Sequence, residues 1–198
     1  MKLLFTTEII QRAGKERQML LLCRELLARG HDVRVLSIYA TPLDYLQEYG
    51  IAPDRVRVIG DRGKLKKYRR MRDMLKEFAP DIVFAWDPLS ALYAVLMRWR
   101  LRFSMINGSI QHGIWLWRPY YLFRNLVCRL SPYVVANSHA GLRANRLAPG
   151  SRRFVLHNGI EEKFVNRLSA AEVARRRAEW IPGFTENPGT VYVSVANF

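Results

Sequence analysis

The chain has 198 residues, of which 49% are hydrophobic and 25% charged. That composition can bury a core and excludes wholesale disorder. Thirty-two Lys and Arg against 17 Asp and Glu give a net charge of +15, which points to an anionic partner such as nucleic acid, a membrane surface or a phosphorylated ligand.

Apolar runs at 3–6, 33–38, 56–59, 81–85, 103–106, 133–136 and 154–156 predict strands. Several are continuous rather than alternating, as expected of parallel strands buried on both faces. After the first, Met19, Leu22, Cys23, Leu26 and Leu27 recur at helical spacing and make one apolar stripe. Gly30 then predicts a left-handed cap. Gly14, Lys15 and Arg17 open this helix, where backbone N–H groups attract a phosphate. After the fifth strand, the loop-like run 107–113 contains His112; ligand sites in open α/β sheets form at such strand ends, so His112 is a functional candidate. Ser138 predicts an N-cap for a helix over 139–147, and Asn158-Gly159 predicts a turn. A helix over 169–180 is followed by Pro182-Gly183, Asn187-Pro188-Gly189 and a strand-like run at 190–195. Repeated strand-helix-strand units predict an α/β, Rossmann-like, doubly wound parallel sheet. The predicted domains are residues 1–181 and, at 182–198, a linker with the first strand of a second domain.

Cys23 and Cys128 stand apart from any C-x-x-C pair or metal-spaced His, so they read as buried thiols, and no metal site is expected. The charge map carries more information. Residues 88–160 contain no Asp or Glu but hold ten arginines and ten aromatics. A second basic stretch, 62–76, has eight cations and one Asp. Within 114–124, Trp115, Trp117, Arg118, Tyr120, Tyr121 and Arg124 combine headgroup-level aromatics with cations and predict a face toward an anionic membrane. Nucleic acid is disfavoured, because no helix-turn-helix, zinc or RNP-type motif accompanies the basic residues. With no signal-peptide pattern or clean spanning segment, the expected location is cytoplasmic and peripheral to the inner face of the membrane.

Several segments resemble family 4 glycosyltransferases of GT-B fold. They are Gly14-x-Glu16-Arg17-Gln18, Ala28-Arg29-Gly30-His31-Asp32-Val33, Pro80-Asp81-Ile82-Val83, Val134-Val135-Ala136-Asn137-Ser138, Asn158-Gly159-Ile160 and the run 193–198. The resemblance implies the N-terminal, acceptor-side half of a GT-B fold, ending at the first strand of the nucleotide-sugar-binding domain. It implies a retaining transfer from a nucleotide-sugar, with no obligatory metal and no cofactor beyond that donor substrate. The acceptor expected is a lipid-linked or cell-surface glycan, and the donor would bind through the missing second domain, leaving this chain inactive alone. Gly14, Lys15 and Arg17 would approach the donor phosphates, whose developing charge needs donors and cations. Glu16, Ser138, Asn158 and Gly159 would face the acceptor or the other domain. Asn107 stands where the family often has His, so Asn107 and His112 are the catalytic candidates. The alternatives are a GT-B-fold sugar-nucleotide epimerase and a non-enzymatic basic module binding membrane or nucleic acid.

Overall fold

The computed structural model describes residues 1–60, 63–161 and 168–180. The chain divides into two compact units, Met1–Gly159 and Ile160–Phe198. The first contains one sheet of seven strands: β1 (Lys2–Thr7), β2 (Asp32–Ser37), β3 (Val56–Val58), β4 (Ile82–Ala85), β5 (Ser104–Ile110), β6 (Tyr133–Ala136) and β7 (Arg153–Val155). All neighbouring pairs are parallel, in the order β3-β2-β1-β4-β5-β6-β7. The chain winds outward from β1 through β3, returns beside β1 as β4, and winds the other way. The crevice above the C-terminal ends of β1 and β4 is therefore the switch point where ligands of such sheets bind.

Successive strand side chains point to opposite faces, so each central strand feeds two cores. Leu3 and Phe5 pack with Val33, Val35, Met19 and Cys23 beneath α1 (Gly14–Ala28). The short α2 (Asp44–Gln47) adds Tyr45 and Leu46 to this layer. Leu4, Leu36, Val83 and Met105 pack on the other face against α3 (Lys64–Phe78), α4 (Pro88–Leu101) and α5 (Pro119–Leu130). Beside them, α6 (His139–Ala144) buries Leu142 against Ile110, Val134 and Ala136. Cys23 and Cys128 are both buried thiols, and Gly30 takes the left-handed conformation at φ +79° that ends α1. In the second unit, α7 spans Ala170–Trp180. The predicted strand at 190–195 and the breaks at 182–189 lie outside the described residues.

One expectation is corrected here. Residues 107–110 are not loop but the end of β5. Gly108 lets the strand pass the aromatic stack, since a Cβ there would lie 2.6 Å from the Phe84 ring. Asn107 is fully buried: its amide donates to Ser131 Oγ at 2.9 Å, and its carbonyl accepts the Ser109 N–H at 3.0 Å. Its side chain ties β5 to the residue capping the end of α5, so Asn107 sits in the core with its amide engaged by the fold.

Candidate active site

The switch-point crevice is organised around Asp87, which ends the β4 segment and N-caps α4 in a capping box with Ser90. Its carboxylate is buried and also collects donors from β1. The Thr7 hydroxyl and the Glu8 N–H (2.9 Å) donate to Oδ2, and the Lys15 ammonium donates to Oδ1. Lys15 sits in the first turn of α1 and also meets Glu16 Oε1 at 3.2 Å. Trp86 Nε1 donates to the Lys15 carbonyl at 3.1 Å, locking the end of β4 to the start of α1. Burial pulls the Lys15 ammonium down, but Asp87 and Glu16 outweigh it and its pKa rises. Glu8 completes the cluster by accepting the Leu89 N–H at 3.1 Å. Burial and the neighbouring Asp87 charge raise the Glu8 pKa, against the opposing pull of Leu89 and Lys15.

The predicted phosphate-approach residues are thus at the switch point, but their roles differ from expectation. Lys15 is neutralised by two carboxylates and anchors the loop. The groups left to meet an anion are the backbone N–H groups of the α1 start. Ala13 provides no side-chain cap there, and the space beside Gly14 is open. Arg17 lies on the same turn, half-buried. Glu16 is buried against Lys15 rather than presented outward.

The loop 111–118 after β5 forms a second wall. His112 packs edge-on against Tyr121 at 5.8 Å, and Tyr121 against Trp115 at 6.2 Å and Tyr120 at 5.3 Å. Behind them lies Arg124, fully buried. It donates to His112 Nε2 (3.2 Å), Asn145 Oδ1 (3.1 Å) and the Ile114 carbonyl (3.3 Å), and its guanidinium lies 4.9 Å from the centre of the Tyr121 ring. This corrects the expectation that Arg124 faces a membrane: it is the post on which the loop is built. Burial and the Arg124 charge hold His112 below the usual imidazole range, so the ring is neutral at pH 7. Arg124 can only donate, so Nε2 faces a charged donor, and the Ile114 N–H points at Nδ1 at the longer distance of 3.4 Å.

Trp117 and Arg118 are exposed, as expected of an outward face, while Trp115 and Tyr121 are half-buried in the aromatic cluster. The Tyr120 hydroxyl has a pKa raised by burial against the opposing pull of Arg124. Tyr120 itself packs edge-on against Tyr121 and lies 5.9 Å from the Arg124 guanidinium. Ser138 is engaged as the α6 N-cap, accepting the Gly141 N–H at 3.1 Å. The Asn158-Gly159 segment, predicted as a turn, is irregular backbone clamped to α1, since Gln18 exchanges two hydrogen bonds of 2.9 Å with the Gly159 backbone. Between them runs a groove of about 230 Å³, lined by Gln18, Leu22, Trp86 and His157 among others. Sequence reasoning passed over Asp87, Glu8 and Trp86, and quoted Gln18 only as part of a motif. The Asp87-Pro88-Leu89-Ser90 spacing is a readable capping signal, but its partners Thr7 and Lys15 lie more than 70 residues away. Among the described residues, no group of three or more His, Cys, Asp or Glu is placed to hold a metal ion.

The sequence pattern of Glycosyltransferase Family 4 matches the chain over residues 12–164. The chain belongs to that family. No curated protein matches it significantly in sequence, but solved structures share its fold. Anabaena HepE in complex with UDP superposes with a TM-score of 0.69 at 16% identity, over 90% of this chain and 50% of HepE. The lipopolysaccharide outer core galactosyltransferase WaaB gives 0.61 at 19%, over 83% and 48%. The UDP-GlcNAc 2-epimerase of Methanocaldococcus jannaschii gives 0.60 at 18%, over 80% and 46%. The chain thus spans about half the length of these relatives, and its sheet is the Rossmann-like half of a GT-B fold.

Proposed function

We propose that this family 4 chain is the acceptor-side part of a retaining hexosyltransferase. It would transfer a sugar from a nucleotide-sugar to a lipid-linked or cell-surface glycan at the cytoplasmic face of a membrane. The observation that carries this reading is the α1 start at the switch point. Its N–H groups have no side-chain cap, its glycine leaves room for close approach, and the Lys15–Asp87 pair fixes its position. Oriented N–H dipoles that need no rearrangement suit the charge that develops on a departing diphosphate. HepE has been captured with UDP-glucose, which supports a UDP-sugar as donor.

The local carboxylates favour retention. Asp87 and Glu16 are both paired with Lys15, and Glu8 is tied to the Leu89 N–H, so the carboxylates of this cluster are engaged with one another's partners rather than turned outward. His112 has donors of the fold at both ring nitrogens, Arg124 at Nε2 and the Ile114 N–H at Nδ1, which fix the ring in the wall of the crevice. The donor would bind mainly through a second domain, so this chain alone would not turn over.

The test is UDP release from UDP-glucose and UDP-galactose with a membrane lipid extract as acceptor, using this chain and the polypeptide made from its natural gene. The expected outcome is no turnover by the 198-residue chain and transfer by any longer natural form, with the anomeric configuration kept. Brisk turnover by this chain alone, an inverted product, or interconversion of UDP-GlcNAc epimers without an acceptor would overturn the reading.

A further inference from the structure

A different surface carries charge and apolar area that the crevice does not use. Along the outer side of α5, Leu122, Leu126 and Leu130 recur every fourth residue and are 46%, 56% and 50% exposed. The neighbouring α4 adds Leu96 and Trp99, the latter 79% exposed. The three α5 leucines span about 12 Å of one helix face. A row of large apolar side chains on the outer face of a packed helix is not explained by the core.

This row runs down to a groove of about 530 Å³ at the N-terminal edge of β5, β6 and β7, lined by Arg98, Trp99, Arg129, Arg152 and Arg153 among others. Neutral acceptors hold two of these arginines in place. Arg129 donates to Asn125 Oδ1 at 2.9 Å, and Arg153 to the carbonyls of Ser131 and Pro132 at 3.2 Å each. Arg98 lies over the Trp99 ring at 4.3 Å, and its buried Nε has no partner. No acidic residue occurs in 88–160, and among the described residues none of the ion pairs involves Arg98, Arg129, Arg152 or Arg153, in contrast to Lys15.

We propose that the outer face of α4 and α5, together with this arginine groove, is the seat for an anionic phospholipid surface. The leucines and Trp99 enter the headgroup–acyl boundary, and the arginines receive lipid phosphates. A second copy of the chain does not fit, because pairing this face with itself would oppose arginine to arginine with no acid to relieve it. The inference rests on the membrane part of the proposed function and moves the contact from the loop around Trp117 to the helix pair.

The experiment is vesicle flotation at low salt, with phosphatidylcholine alone and with about 30% phosphatidylglycerol. It compares the wild-type chain, the double variant L126E/R129E and the variant W117S, with circular dichroism of each as the check on folding. The expected result is binding to the anionic vesicles only, lost at high salt. It falls at least about tenfold in L126E/R129E and changes less than about twofold in W117S. If W117S loses binding and L126E/R129E keeps it, the membrane reading survives but this seat is wrong. If the wild-type chain binds neither vesicle, both fail. Displacement from the vesicles by millimolar inorganic phosphate would show a site for soluble anions and overturn the lipid assignment.

Discussion

Glu8 and Asp87 share the N-terminus of α4, and their environments push them apart. Asp87 takes the hydroxyl, the N–H and the ammonium, while Glu8 has one backbone donor and an anionic neighbour. A raised carboxyl pKa means that the folded chain binds a proton at Glu8 more readily than the unfolded chain does. Stability from this group is therefore present at low pH and falls as pH rises through its folded pKa. Glu8→Gln keeps an oxygen to accept the Leu89 N–H and removes the charge. It should raise the melting temperature at pH 7 and leave it nearly unchanged near pH 4. A melt series across that range checks this, and equal effects at both pH values would contradict the assignment. Such a pairing is invisible in a sequence, because Glu8 and Asp87 meet only when β1 and β4 lie side by side. Arg124 was hidden for a related reason. Arginine is rarely fully buried, and its partners His112, Ile114 and Asn145 come from the far ends of the loop and α6.

At the level of elements, the approach of β5 to the Phe5–Phe84–Trp86 stack sets the floor beneath the crevice. Phe5 and Phe84 stack at 5.3 Å, and Phe84 and Trp86 lie 5.0 Å apart. A methyl group at position 108 would sit 2.6 Å from the Phe84 ring, so the ring or the strand must move. Gly108→Ala should cost about 1–3 kcal/mol, read as a lower urea midpoint at unchanged slope. In a Phe84→Leu background the penalty should shrink, because the residues are coupled through that contact. An undiminished penalty would place the cost elsewhere. The strands themselves were legible because double burial demands unbroken apolar runs. The end of β5 was not, because Asn107, Gly108 and Ser109 look like a turn. Only the fold supplies Ser131 and Phe84, which make a polar residue and a glycine fit there.

Across the whole molecule, opposite charges are unevenly shared. The ion pairs of Arg12 with Glu48, Lys15 with Asp87, Arg29 with Glu25 and Arg55 with Asp32 all lie within the first 87 residues. The span 88–160 has ten arginines and no acidic residue of its own. Two salt effects therefore compete. Screening weakens the exposed pairs, each worth about 0.2–1 kcal/mol. It also relieves repulsion among cations, whose reach shrinks from about 30 Å at 0.01 M ionic strength to about 8 Å at 0.15 M. With a net charge of +15, repulsion dominates, and the chain should be stabilised by about 1 kcal/mol over that salt range, a rise of roughly 2–4 °C in melting temperature. A melting temperature that falls with sodium chloride would mean that the paired half of the chain governs stability and that the arginine-rich half is neutralised by contacts within the fold.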